Sequence, residues 1–190
     1  MAMNRSAWTW PLVAALLTGT LTVTPAAGMA PARALELRGS TYFVKAPWKA
    51  ELITYYDNTG DPSAEYYLTI SLDPQAGASL QRLTIQQTRG ADWQFPFAPE
   101  RSRAFLGRPR REGAPVPVRA TFAQRERLIT VDFPEPVAPG STLTVMLKPW
   151  TNPVTADTYL FQVTAWPAGP QPVASPVGTA TLRIYDRVPW

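Results

Sequence analysis

The chain has 190 residues, a formal net charge of +4, and neither cysteine nor histidine. The missing histidine excludes a Ser-His-Asp triad, and the missing cysteine excludes thiol catalysis, iron–sulfur ligation and the usual structural zinc sites. Neither of the common glycine-rich phosphate loops is present in the sequence. The composition therefore points away from most enzyme classes, and no cofactor is expected.

The N-terminal part of the chain has the pattern of an export signal. Arg5 provides the positive start, Pro11 to Val23 form an apolar run, and Ala32-Arg33-Ala34 matches an A-x-A cleavage site. The run is too short to span a bilayer comfortably, although an uncut signal could act as a weak tether. We expect a signal peptide at 1–34 and one exported domain at 35–190, with no stable membrane span after cleavage.

Most of the remaining sequence alternates apolar and polar residues with a period of two, which is typical of half-buried β-strands. Leu68 and Ile70 share one predicted face, for example, while Tyr67 and Thr69 share the other. Prolines and turn residues separate these runs, so long helices are not expected. The predicted strands are 41–45, 49–56, 65–72, 80–87, 93–97, 118–122, 127–133, 141–148, 158–165 and 178–185.

Many short strands with regular turn signals predict an all-β fold. The favoured architecture is an antiparallel immunoglobulin-like β-sandwich, and the alternative is a Greek-key barrel. A hairpin is expected to turn near Gln124-Arg125-Glu126, and 167–176 is expected to be a loop.

Characteristic segments run along nearly all of residues 35–190. They are Leu35 to Val44, Arg103 to Gly107, Arg110 to Gly113, Leu147 to Pro149, Asn152-Pro153, Thr158 to Gly169 and Arg183 to Asp186. Together they resemble the exported, mainly cyanobacterial domain-of-unknown-function family 2808. The resemblance implies export to the periplasm, the cell exterior or the thylakoid lumen. It implies no activity and no catalytic residues.

Basic residues are concentrated in one segment, which carries eight arginines and two glutamates between positions 101 and 127. Aromatic residues interleave with the first of these arginines. A guanidinium group grips carboxylate, sulfate or phosphate with two donors, and it also stacks on aromatic rings. The predicted anion-binding residues are Arg101, Arg103, Arg108, Arg110, Arg111, Trp93 and Phe105.

The partner of such a segment would be an acidic polysaccharide, a lipid headgroup or an acidic protein surface. Nucleic acid is not expected for an exported protein, although the same physics would bind it. The alternative interpretation is a solvated loop in which the arginines pair with Glu100, Glu112 and Glu126 while the aromatic side chains fill the core.

Two further interpretations rest on the acidic residues between positions 57 and 65. Asp57, Asn58 and Asp61 offer oxygen ligands for a weak calcium site, although the EF-hand spacing is not met. Asp57, Asp61 or Glu65 could provide the carboxylate pair of a carbohydrate-processing enzyme. Aspartate beside asparagine, glycine and proline is also common in ordinary turns.

The lysines and tryptophans are expected at strand ends. Exposure there would leave Lys45, Lys49 and Lys148 with ordinary pKa values, which disfavours a catalytic lysine. Trp48, Trp150, Trp166 and Trp190 lie beside prolines or at the chain's end, and they are expected to cap the open ends of the sandwich or to form platforms for sugars.

The sequence thus predicts an exported, non-enzymatic binding or scaffolding domain that contacts an anionic partner through its arginine-rich segment. One alternative is the carbohydrate-processing enzyme. The other is a structural accessory subunit of an envelope or thylakoid assembly, whose exposed edge strand pairs with a neighbour.

Overall fold

A computed structural model describes residues 35–37, 39–93 and 96–187 of the chain. The predicted signal peptide and Trp190 lie outside these residues. The described strands are β1 (Leu35–Leu37), β2 (Ser40–Tyr42), β3 (Trp48–Thr54), β4 (Tyr66–Ser71), β5 (Leu80–Arg89), β6 (Arg103–Arg108), β7 (Arg111–Val116), β8 (Arg119–Ala123), β9 (Leu128–Val137), β10 (Thr142–Leu147), β11 (Asp157–Pro167) and β12 (Ser175–Ile184). A short 3-10 turn spans Pro99–Arg101.

Ten of these strands form two five-stranded sheets. Sheet I has the order β3-β4-β10-β6-β7, and sheet II has the order β12-β11-β5-β9-β8. Every pair of neighbouring strands is antiparallel. Strands β1 and β2 form a separate pair, and neither sheet closes on itself. The fold is therefore the predicted immunoglobulin-like β-sandwich, and the alternative of a Greek-key barrel is wrong.

The main core lies between the two sheets. Leu68 and Val145 face inward from sheet I, and Leu83 and Val131 face inward from sheet II. All four side chains are almost completely buried. Burial of one such aliphatic side chain contributes roughly 1.5–3 kcal/mol, so this layer supplies most of the free energy that holds the sheets together.

The strands with clear alternation are confirmed, with small shifts at their ends. The predicted turn near Gln124-Arg125-Glu126 is also confirmed, because it joins β8 to β9. The prediction at 93–97 falls partly outside the described residues, and Phe97 pairs with Pro149 in an isolated bridge instead of a strand. The sequence did not predict β1, β6 or β7.

Lys148 corrects the expectation that all three lysines are exposed. Its side chain is buried, and its Nζ donates hydrogen bonds to the carbonyl oxygens of Pro62 at 2.8 Å and Ala64 at 2.7 Å. Lys45 and Lys49, in contrast, are exposed. The buried ammonium group thus fastens the loop before β4 to the end of β10.

Candidate functional site

Strands β6 and β7 form a hairpin that bends sharply at a glycine. The strand register shifts between Phe105 and Gly107, and Gly107 has φ of +102°. A Cβ atom at this position would lie 2.6 Å from the carbonyl oxygen of Arg111, and one at Gly113 would lie 2.8 Å from that of Leu106. Both positions therefore require glycine, because the two strands approach too closely for a side chain.

The tip of the hairpin, residues 108–111, lies across the outer face of sheet I. Thr144 on β10 donates its hydroxyl to the carbonyl oxygen of Gly107 at 2.7 Å, and its Oγ1 lies 3.0 Å from that of Thr69 on β4. Beside Thr69 lies Glu51 on β3, whose Oε2 accepts a hydrogen bond from Arg108 Nη1 at 3.1 Å. The hairpin thus reaches from one side of sheet I to the edge strand on the other.

On the outer face of sheet I, Phe105 of β6 forms a second, smaller apolar cluster with Tyr67 and Met146. This cluster corrects the expectation of half-buried strands. Nearly all residues of β4 and β10 are buried, on both faces of the sheet. The hairpin therefore covers the centre of the outer face of sheet I and packs against it instead of extending into solvent.

Arg103 and Arg108 are held by carboxylates. Arg103 makes two hydrogen bonds to Glu112 on the neighbouring strand, at 2.7 and 3.0 Å. These bonds hold the pKa of the Glu112 carboxyl below its usual value and raise the pKa of Arg103. Glu112 was a predicted partner of the arginines, whereas Glu51, the partner of Arg108, was not predicted.

Arg110 stacks on an aromatic ring. It has φ of 64°, in the left-handed region, and its guanidinium carbon lies 4.0 Å from the ring centroid of Tyr55. Tyr55 in turn packs against Tyr67, with 5.7 Å between the ring centroids. Burial, together with a 2.5 Å hydrogen bond from the Tyr67 hydroxyl to Glu65, raises the pKa of Tyr67 to about 12. An uncharged tyrosine therefore supports the stack across the physiological pH range.

Three of the five predicted arginines in this region remain available. Arg101 lies in the 3-10 turn, Arg110 at the hairpin turn and Arg111 at the start of β7, and all three are exposed. Among the residues that the structure describes, none of the three is paired with a carboxylate. Phe105, also predicted as a site residue, lies on β6 and is buried in the cluster with Tyr67 and Met146.

The remaining arginines of the basic segment lie on sheet II. Arg119 belongs to β8, and Arg125 and Arg127 lie in the turn between β8 and β9. The guanidinium carbon of Arg127 lies 3.8 Å from the ring centroid of Trp93, so the predicted site residue Trp93 is grouped with this turn. The continuous basic segment of the sequence is thus divided between two sheets.

The acidic residues between 57 and 65 have separate local roles. Asp61 Oδ1 accepts a hydrogen bond from the backbone N–H of Ser63 at 2.8 Å, as expected in a turn, and Glu65 binds the hydroxyl of Tyr67. In the described ranges, no group of three or more His, Cys, Asp or Glu residues could hold a metal ion. The calcium site at Asp57, Asn58 and Asp61 stays a prediction.

The described part of the surface includes three open cavities. Cavity A, of about 420 Å³, is lined by Asp92, Trp93, Pro96, Thr151 and Val154, among others. Cavity B, of about 410 Å³, lies between edge strands β3 and β12 and includes Asp57. Cavity C, of about 200 Å³, lies beside β7 and includes Glu135. Among the described residues, each of these cavities is lined by a single carboxylate, so their known linings do not offer the pair that a glycosidase needs.

Within the part of the chain that the structure describes, no helix has the length and apolar character needed to cross a bilayer.

The chain belongs to the family described as protein of unknown function, DUF2808, whose model matches residues 40–184. The resemblance noted in the sequence is thus confirmed at the level of the family. No curated protein matches the sequence.

Several solved structures are similar to the chain in fold. BslA, a bacterial hydrophobin, has 13% sequence identity and a TM-score of 0.43, over 76% of this chain and 98% of that one. BcpA, the major pilin subunit of Bacillus cereus, has 11% identity and a TM-score of 0.42, over 74% of this chain and 40% of that one. The collagen binding subdomain of the Enterococcus faecalis surface protein ACE has 8% identity and a TM-score of 0.39, over 70% of this chain and 95% of that one.

Proposed function

We propose that this member of the DUF2808 family is an exported, non-enzymatic binding domain that contacts an acidic polysaccharide through the tip of its β6–β7 hairpin. Arg110 and Arg111 are the contact residues, with Arg101 nearby in sequence. One observation carries the proposal. The hairpin is fixed to the sheet beneath it, and it exposes arginines that have no carboxylate partner in the described chain.

The fixed backbone matters because ordering a flexible loop on binding costs free energy. Here Gly107 is bound by Thr144, and Arg103 and Arg108 are already paired, so the tip has little freedom to lose. The Arg110 guanidinium lies over the ring of Tyr55. That stack leaves the N–H donors along the edge of the group free for the oxygen atoms of a carboxylate or sulfate.

Export is supported by the N-terminal sequence, namely Arg5, the apolar run from Pro11 to Val23, and the Ala32-Arg33-Ala34 motif. An exported protein meets acidic polysaccharides in the envelope and outside the cell. The chemistry of a lipid headgroup or of an acidic protein surface is related, and both serve as comparisons in the test.

The test replaces both contact arginines. The double variant Arg110→Ser/Arg111→Ser should fold normally and should elute from dextran sulfate resin at much lower salt than the parent protein. The parent's retention should weaken steeply with ionic strength, because screening acts strongly on exposed charges. The measurement is the eluting salt concentration, with the urea unfolding midpoint as a check on folding.

The matched control is Arg119→Ser/Arg125→Ser, which removes the same charge from exposed positions on sheet II. If both double variants lose retention equally, only net charge is involved and the proposed site is wrong. Binding to phosphatidylglycerol vesicles but not to dextran sulfate, or binding to neither, would also contradict the proposal.

A further inference from the structure

Trp93 is an exposed aromatic residue that the hairpin does not use. It lies in the loop after β5, its side chain is 52% exposed, and it forms part of the wall of cavity A. The volume of this cavity, about 420 Å³, lies within the range of roughly 300–1,000 Å³ that small-molecule sites occupy.

Arg127 packs against one face of the Trp93 indole ring. The Arg127 guanidinium lies 3.8 Å from the ring centroid, and Arg127 is not among the residues that line the cavity. Its Nη1 is buried and makes no hydrogen bond within the described part of the chain, and its backbone has φ of 53°. Both features cost free energy at Arg127, and its guanidinium group packs against one face of the Trp93 ring beside the cavity.

Polar groups border the same cavity. The carboxylate of Asp92 accepts hydrogen bonds from the backbone N–H groups of Val154 at 2.6 Å and Thr155 at 3.2 Å, and from the Thr155 hydroxyl at 3.0 Å. A carboxylate has about four acceptor positions, so one remains. Thr151 also lines the cavity, and its hydroxyl can both donate and accept a hydrogen bond.

An indole platform beside a hydroxyl and a carboxylate acceptor matches the chemistry of a sugar ring, which has an apolar C–H face and hydroxyl groups around its edge. A membrane surface or a protein partner would need a larger, continuous apolar area. We propose that cavity A binds a neutral pyranose unit of a polysaccharide, with Trp93 as the stacking platform and Thr151 as a hydrogen-bonding residue. This subsite involves none of the hairpin arginines.

The experiment is affinity electrophoresis of the full protein in native gels that contain dextran, hydroxyethyl cellulose or galactomannan. The parent should be retarded in at least one gel, and Trp93→Ala should bind at least about tenfold more weakly. Trp93→Phe should keep part of the affinity because it keeps a ring, and Thr151→Val, which removes only the hydroxyl, should weaken binding. The two conservative variants keep the test valid if Trp93→Ala is unstable.

The matched control is Trp48→Ala. Trp48 is 60% exposed, and it pairs with Ser71 at the opposite end of β4 from Tyr66, which binds Asn152 beside cavity A. This variant should keep the parent's retardation, and so should Arg110→Ser/Arg111→Ser, which separates this proposal from the previous one. The proposal fails if the parent moves freely in all three gels, or if the Trp93 and Thr151 variants are retarded as strongly as the parent.

Discussion

At Gly107 the hairpin bends across the outer face of sheet I. Replacing this glycine tests whether the bend keeps the tip of the hairpin in place. Gly107→Ala should lower the free energy of unfolding by about 2 kcal/mol or more, because φ of +102° is unfavourable for alanine and the new Cβ would collide with the Arg111 carbonyl oxygen. Urea unfolding measures the loss, and retention on dextran sulfate should weaken as the tip moves.

Gly60→Ala is the control for this substitution. Gly60 also has a positive φ, of +66°, but a Cβ there would meet no atom within 4 Å. We expect a loss of only about 1 kcal/mol from backbone strain, without an effect on retention. Equal losses in the two variants would show that the close approach to Arg111 is unimportant.

The hairpin as an element is also sensitive to acid. Because Arg103 lowers the pKa of Glu112 in the folded protein, the pair stabilises the fold above the ordinary glutamate pKa of about 4.3. This contribution is lost as the pH falls through the lowered pKa. Both side chains are partly exposed, so the effect should be below about 1 kcal/mol.

The measurement is the unfolding free energy between pH 3 and pH 7 for the parent and for Glu112→Gln. The parent should lose stability on acidification to a greater extent than the variant does. Glu126→Gln, at an exposed position without an ion pair in the described residues, should follow the parent. Parallel curves for the parent and Glu112→Gln would refute a role for this pair.

The strands that sequence patterns predicted correctly are those whose side chains alternate against the main core. Strand β9 is an example, with Ile129, Val131 and Phe133 buried in turn. Strands β6 and β7 show no such pattern, because Gly107, Gly113 and Pro115 interrupt them. Strand β6 enters sheet I by pairing with β10, which is distant in sequence and leaves no local signal, and β7 follows by pairing with β6.

The candidate site could be predicted in composition but not in arrangement. The density of arginines identified the segment, and the pairing of Arg103 with Glu112 could be predicted because the two residues are only nine positions apart in the sequence. The partnership of Arg108 with Glu51 joins residues 57 positions apart, and it depends on how far the hairpin folds over the sheet. A linear sequence also cannot show that Arg111 lies on sheet I whereas Arg127 lies in a turn between two strands of sheet II.

At the scale of the whole molecule, Asn152 ties together the loops at one end of the sandwich. Its Nδ2 donates to the carbonyl oxygens of Tyr56 and Asn58, each at 2.8 Å, and its Oδ1 accepts a hydrogen bond from the Tyr66 hydroxyl at 2.6 Å. Burial raises the pKa of Tyr66, so this hydroxyl remains a donor. Asn152→Ala should cost about 3 kcal/mol, because three hydrogen bonds of a buried side chain are lost.

Thermal and urea unfolding provide the measurement, and Asn58→Ala is the control, because the side chain of Asn58 is exposed. That change should cost less than about 1 kcal/mol. If the two variants are equally stable, the buried amide does not organise this end of the molecule.

The unequal burial of the lysines has a practical consequence. The only lysines in the sequence are Lys45, Lys49 and Lys148, and the last is enclosed by the carbonyl groups of Pro62 and Ala64. Reagents that acylate lysine side chains will therefore modify Lys45 and Lys49, close to Trp48 and away from Tyr55. Molecules immobilised on a sensor chip through these two side chains will be held near the Trp48 end of β3, which leaves cavity A, beside Asn152 at the other end of the sandwich, open to the flowing sample.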